Sequence, residues 1–175
     1  MLLIVSAHSF QLTENQFQRL YEIITVAYAE TEKTLWGKGY VRLTEDELRQ
    51  FIEQDEVYIA LLKGKIVGGV RMFQLTDSIW SFSLLGADFE MKGLGIGRAL
   101  IHHVEQETAQ RNGKQIRIEV LRPENQTIAS KEILKNWYQR QGYKIVKVIP
   151  LQELYPEKEK LLKVPAVFDC YEKML

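Results

Sequence analysis

The sequence predicts an α+β domain with a central, mostly antiparallel seven-stranded sheet that carries helices on both faces. Three observations predict it. In the middle of the chain, three consecutive strand-like stretches are separated by polar turns too short for a parallel crossover. Apolar residues at helical spacing, opened by capping signals, precede and follow this meander. Finally, 175 residues with 46% apolar content suit one domain, residues 1–175, with a sizeable core.

Leu2 to Ser6 reads as the first strand. Thr13, with Gln16 three residues on, forms a capping box that starts a helix, and Phe17, Leu20, Tyr21, Ile24 and Tyr28 define its apolar face. Trp36-Gly37-Lys38-Gly39 marks a loop, and Thr44 to Glu47 opens a second helix with Leu48, Phe51 and Ile52 inward, stopping near Asp55. The meander follows as Val57 to Lys63, a turn at Gly64, Ile66 to Phe73, a turn near Asp77, and Ile79 to Ala87. Leu94 to Arg111 is an amphipathic helix with Leu100, Ile101 and Val104 on its inner side, capped by Asn112-Gly113. It feeds a strand from Gln115 to Leu121 that ends at Pro123. Ser130 is read as the cap of a helix to about Gln141, stopped by Gly142, and Tyr143 to Ile149 as the next strand. Pro150 and Pro156 frame a polar loop, Lys158 to Leu162 makes a short helical turn, and Ala166 to Met174 is the last strand.

Composition narrows the function classes. Basic and acidic side chains number 23 each and are interleaved, so the electrostatic footprint of a nucleic-acid binder is missing. Cys170 is the only cysteine, which excludes an internal disulfide and a Cys-rich zinc site. The adjacent His102 and His103 point to different sides of a helix and make no two-ligand clamp, so no metal is expected. Met1 to Phe10 lacks a basic leader and no apolar run approaches membrane-spanning length; a soluble, cytoplasmic protein with no membrane partner is the expectation.

The most informative segment is Lys92-Gly93-Leu94-Gly95-Ile96-Gly97-Arg98, three alternate glycines between a strand and a helix. Glycine lets the backbone turn sharply and expose successive N–H groups, and the helix start adds free amides and a positive dipole end, a combination that favours a pyrophosphate. A nucleotide P-loop needs Gly-Lys-Ser/Thr, but Arg98-Ala99 follows the last glycine. The dinucleotide fingerprint needs a third glycine where Arg98 stands. The plain alternative is a tight strand-to-helix turn, which needs only one or two left-handed residues.

What remains is the pattern Arg/Gln-x-x-Gly-x-Gly/Ala, carried by Lys92, Gly95 and Gly97, together with Trp137-Tyr138-Gln139-Arg140-Gln141-Gly142-Tyr143. With these motifs the chain resembles the GNAT family of acetyl-CoA-dependent N-acyltransferases over roughly Val57 to Ile149. It departs from the family in Lys92, where arginine or glutamine is usual, and in Phe89, where proline is frequent. The resemblance implies that Lys92, Gly93, Leu94, Gly95, Ile96 and Gly97, with Arg98 nearby, cradle the CoA pyrophosphate through backbone amides. It implies a bulged strand before the loop, splayed from its parallel neighbour, where Leu85, Gly86 and Ala87 offer backbone groups to the pantetheine and to a developing oxyanion. Gly86 is compatible with such a bulge.

By the same resemblance Tyr138 donates a proton to the departing thiolate; read on helical periodicity alone it is a core aromatic beside Leu134. A thiol pKa is about 8.5 and an amine's about 10, so deprotonating the amine is the harder task. Glu119, on the strand after the long helix, is the candidate base, with a structural hydrogen-bonding role as the alternative. Glu30 and Glu32, near the end of the first helix, are either acceptor contacts or a solvated face. Asn125 and Lys131 both compete for the family's asparagine near the cofactor, because the insertion Pro123 to Ser130 shifts the spacing. Tyr28, Trp36, Tyr40, Phe73 and Trp80 either line an acceptor site or pack the core.

The expected partners are acetyl-CoA as cosubstrate and a primary amine on a small molecule or peptide, with no nucleic acid and no metal; a homodimer is compatible with this. A non-catalytic acyl-CoA-binding regulatory module and a transferase of longer acyl chains are the competing readings.

Overall fold

A computed structural model describes the whole chain, Met1–Leu175. Strands β1 (Leu2–Ser6), β2 (Val57–Leu62), β3 (Lys65–Gln74), β4 (Ile79–Ala87), β5 (Gln115–Pro123), β6 (Lys144–Pro150) and β7 (Ala166–Met174) form one seven-stranded sheet, ordered β1-β2-β3-β4-β5-β7-β6. The helices are α1 (Ala7–Phe10), α2 (Glu14–Glu32), α3 (Glu45–Glu53), α4 (Ile96–Gln110), α5 (Ala129–Arg140) and α6 (Leu151–Leu154). All strand neighbours are antiparallel except β4 and β5. No helix is long and apolar enough to cross a membrane.

Local chemistry explains most boundaries. Both capping boxes form, Thr13 with Gln16 and Thr44 with Glu47, each satisfying two backbone donors at a helix start. The β2–β3 turn places Lys63 (φ +51°) and Gly64 (φ +76°) in left-handed conformations, the geometry that matches strand twist in a two-residue hairpin. Helices α4 and α5 end alike: Gly113 N–H bonds Thr108 O at 2.8 Å and Tyr143 N–H bonds Tyr138 O at 3.1 Å, after left-handed Asn112 and Gly142 respectively.

Three local expectations change. Ser6 caps the extra single-turn helix α1 by accepting from Ser9 N–H. Ser130 caps nothing: α5 begins two residues earlier than a Ser130 cap implies, with Ile128 at the cap position and no side-chain bond. The loop between Pro150 and Pro156 holds α6, because Leu151 is fully buried against Leu35, Leu121 and Ala166.

The sheet separates two cores. On one face, Phe17, Leu20, Ile23 and Ile24 of α2 and Leu48 of α3 pack on Val57, Ile59, Leu61 and Ile66. On the other, Ile96, Leu100, Ile101 and Val104 of α4 and Tyr138 of α5 pack on Val70, Met72, Phe82, Ile116 and Ile118. The second core is rich in tyrosine. Burial raises the phenol pKa of Tyr138 and Tyr143 strongly and brings Tyr171 up to about 12. Unfolded phenols ionise near pH 10, so the folded chain holds these protons longer than the unfolded one. Stability is therefore complete below about pH 10 and falls as pH rises from 10 towards 12. Melting temperatures taken between pH 8 and 12, with tyrosinate absorbance followed in parallel, should show the drop coinciding with delayed ionisation; a flat profile to pH 12 would contradict it.

Candidate active site

Strands β4 and β5 run parallel but pair at only two positions, Ile79 with Gln115 and Trp80 with Ile116. Beyond Trp80 the ladder between them ends and the strands splay. The cause lies in β4. Its register with β3 slips between Gly69, opposite Gly86, and Arg71, opposite Ser83. The extra residue bulges β4 at Leu84–Leu85, with Leu84 at φ +55°. Strict alternation would put Leu84 beside Phe82; instead Leu84 joins the core under α2 while Phe82 stays under α4 and α5.

Gly86 is thus not the bulge residue. A Cβ there would lie 3.1 Å from Ile24 Cα and 3.3 Å from Ile23 O, so its role is to let α2 approach the sheet. Gly68, one strand over, does the same for α4: a Cβ would meet Ile96 Cγ2 at 2.7 Å. These two glycines fix both helices over the mouth of the splay.

The glycine loop sits at that mouth. Gly93 (φ +83°) and Gly95 (φ +72°) are left-handed with open space around them, and Gly95 is the cap position of α4 with no side-chain bond. Gly97 has ordinary backbone; its Cβ position lies 3.4 Å from the Trp137 ring. Two glycines therefore serve conformation and the third serves contact with α5. No backbone N–H from Lys92 through Arg98 has an acceptor within the chain. The exposed Lys92 and Arg98 take part in no ion pair; the Lys92 ammonium rests 4.1 Å from the centroid of Phe89. A row of free amides, a helix N-terminus and two uncommitted cations form an anion cradle.

Tyr138 lies behind the splay, 6% exposed, packed against Trp137, Phe82, Tyr143 and Tyr171. Burial, then the nearby phenols of Tyr28 and Tyr171, hold its proton. Glu119 projects from the opposite face of β5, since its neighbours Ile118 and Val120 join the Tyr138 core. Glu119 is exposed, and the partial desolvation of its carboxyl raises its pKa against the pull of Lys147 and Arg117. Asn125 is exposed in the bend between β5 and α5 and makes no hydrogen bond. Lys131 does not face the cradle: it is buried, and its Nζ bonds Glu32 Oε2 at 3.2 Å, tying α5 to the end of α2.

Beyond α2 the chain forms a second concavity of about 400 Å³, lined by Tyr28, Glu32, Trp36, Tyr40 and Arg42 among others. Pairing of Trp36 with Leu162, and bonds from Gly37 N–H to Leu161 O and Lys163 N–H to Leu35 O, anchor this wall. Tyr28, Trp36 and Tyr40 line it, whereas Trp80 is buried in the core and Phe73 lies under the Arg71 guanidinium. Glu30 is exposed beside Lys33; Glu32, far from being solvated, is 8% exposed. Tyr28 lines this concavity with the Arg42 guanidinium over its ring and packs against the core cluster that contains Leu84; burial raises its phenol pKa. Sequence reasoning missed Arg42, an isolated basic residue in a loop, and Leu84, whose left-handed backbone no leucine advertises.

The fold recurs in known proteins. A family model described as the acetyltransferase (GNAT) domain matches residues 53–145. Among solved structures, Ard1 from Thermoplasma volcanium aligns at TM-score 0.69 and 14% identity, over 99% of this chain and 97% of its own. A ribosomal-protein-alanine N-acetyltransferase from Brucella melitensis aligns at 0.68 and 17%, over 99% of each. A GNAT family acetyltransferase from Elizabethkingia anophelis, solved with acetyl-CoA bound, aligns at 0.66 and 14%, over 99% of this chain and 98% of its own. No curated protein sequence matches the chain. With a family model spanning more than half its length, and the bulge, splay and cradle in the fold, the chain belongs to the GNAT family of acetyltransferases and is an acyltransferase.

Proposed function

We propose that this protein binds acetyl-CoA along the splay of β4 and β5 and transfers the acetyl group directly to a primary amine held in the concavity at the end of α2. The observation that carries this reading is the unbroken run of acceptor-free amides from Lys92 to Arg98, at the end of a β4 strand that leaves its pairing with β5 after Trp80. The amides bind the pyrophosphate, with Lys92 and Arg98 adding charge. Leu85, Gly86 and Ala87, next to the bulge, are the backbone groups assigned to the acyl carbonyl, where an aligned N–H stabilises negative charge as it develops.

Direct transfer needs a neutral amine. Glu119 is the base assigned to this: its raised pKa suits proton acceptance, and Leu121, two residues on along the same face, packs in the cluster that includes Trp36 of the acceptor wall. Tyr138 offers its O–H to the departing sulfur while the amine nitrogen gives up the proton that keeps the exchange balanced. Because burial puts the phenol pKa above that of a thiol, full transfer from Tyr138 is uphill, and its contribution is chiefly a hydrogen bond to the developing thiolate. Lys131, committed to Glu32, stabilises the acceptor wall in this reading, and Asn125, in the exposed bend after β5, keeps the assignment as the cofactor-side asparagine.

Calorimetry with CoA and a free-thiol assay with acetyl-CoA test this together. Micromolar CoA binding and thiol release that depends on added amine are expected. Binding of ATP or NAD in place of CoA, or CoA binding with no release across amines, amino acids, polyamines and peptides, would defeat the proposal.

A further inference from the structure

The walls of the acceptor concavity are not electrically neutral, and the imbalance has a sign. Glu32 has both oxygens engaged: Oε1 accepts from Trp36 Nε1 and Oε2 from Lys131 Nζ, each at 3.2 Å. The two buried charges cancel, as a buried pair must. Lys33 stands at the rim, exposed, 4.0 Å from Glu30. That leaves Arg42, which is half-buried in the wall and takes part in none of the ion pairs of the fold. Its guanidinium carbon lies 4.5 Å from the centroid of Tyr28, so the ring covers one face of the cation while its N–H edge stays without a carboxylate. The nearby Glu32 carboxylate favours the Arg42 charge but has both oxygens bonded to Trp36 and Lys131, so the guanidinium edge is left for a carboxylate that a ligand brings, and the site selects its ligand by that charge.

Resting on the acetyltransferase reading, we infer that the acceptor is a small aminocarboxylate whose carboxylate pairs with Arg42 while its amine reaches the β4 bulge. Tyr28 sets the geometry, since the same side chain carries Arg42 on its ring and packs against the core cluster that contains Leu84 of the bulge. Trp36 and Tyr40 stack at 3.7 Å with 3° between their planes, a flat apolar wall against which the side chain of the aminocarboxylate can lie. Diamines and polyamines carry the wrong charge for this site and are repelled by Arg42.

Matched acceptors test the inference: L-alanine and L-phenylalanine against their carboxamides, and putrescine, with rates expressed per neutral amine. The carboxylates should exceed their amides in kcat/KM by about ten- to a hundredfold, the range of a charge-assisted pair. Arg42→Gln should erase that preference by raising KM for the carboxylates about ten- to a hundredfold, with a smaller loss on the amides, and Arg42→Lys should recover part of it. A second readout needs no turnover: with CoA present, N-acetyl-L-alanine should quench Trp36 fluorescence at lower concentration than N-acetyl-L-alaninamide, and the difference should vanish in Arg42→Gln. Equal use of amide and carboxylate, equal loss on both in Arg42→Gln, or product binding indifferent to the carboxylate would overturn it. Brisk acetylation of amides or putrescine alone would overturn this inference and leave the acetyltransferase reading intact. Failure of CoA to bind would overturn that reading instead, and the product titration, repeated without CoA, would still report on Arg42.

Discussion

Replacing Gly95 by valine should weaken CoA binding by about a hundredfold. The residue sits at φ +72° with no atom within 4 Å of where a Cβ would be, so the penalty comes from backbone conformation and not from a clash. A β-branched residue in the left-handed region is a steric outlier, and the loop relaxes by rotating the peptides around it. Those peptides carry the amides at the start of α4. Each charge-assisted bond to phosphate is worth about 1.5–3 kcal/mol, so misaligning one or two costs about 3 kcal/mol, or two decades of affinity. Calorimetry against CoA reads the loss. Gly95→Asn, which tolerates the left-handed conformation, should bind within a few-fold of the native chain, and so should Leu94→Ala, whose exposed side chain is not the ligand. Unaltered affinity in Gly95→Val would mean that the loop is only a turn.

Tyr138→Phe should lower kcat by about a hundredfold while leaving CoA affinity nearly unchanged. A positioned proton donor contributes about 10²–10⁴ in rate, and the raised pKa of this phenol argues for the lower end, since hydrogen bonding to the thiolate outweighs full proton transfer. The substitution is conservative for the fold. The Tyr138 hydroxyl makes no hydrogen bond within the chain, and the ring keeps its neighbours Phe82, Tyr143 and Tyr171. Equal turnover with a good acceptor would return Tyr138 to the core as a packing residue. A parallel loss of kcat and CoA binding would indicate that the ring shapes the channel.

Much of the candidate site's local geometry was legible in advance because its signals are local. The cradle follows from glycines whose spacing only a left-handed turn before a helix rationalises, and Tyr138 follows from its fixed distance to Gly142, the left-handed residue that ends α5. The third glycine shows the limit of such reading: Gly93 and Gly95 bend the backbone, while Gly97 answers to Trp137, a contact across the fold that spacing does not encode. Lys131 teaches the same lesson in electrostatics. Its position in sequence suggested the cofactor, but ninety-nine residues away Glu32 holds its charge in a buried pair.

The sequence by itself determined the order of the seven strands and the four longer helices, both capping boxes, the antiparallel meander and the glycine turn before α4, because hydrophobic period, capping chemistry and glycine conformation act over a few residues. Tertiary structure alone decided where β4 bulges, which face Leu84 takes, which of Glu32, Lys131 and Arg42 is left without an ion pair, and that a concavity forms at the end of α2. Those outcomes depend on close approach between distant segments, as where α2 meets the sheet at Gly69 and Gly86, and on desolvation, which turns an ordinary surface charge into a committed pair or an uncommitted one according to what else is brought beside it.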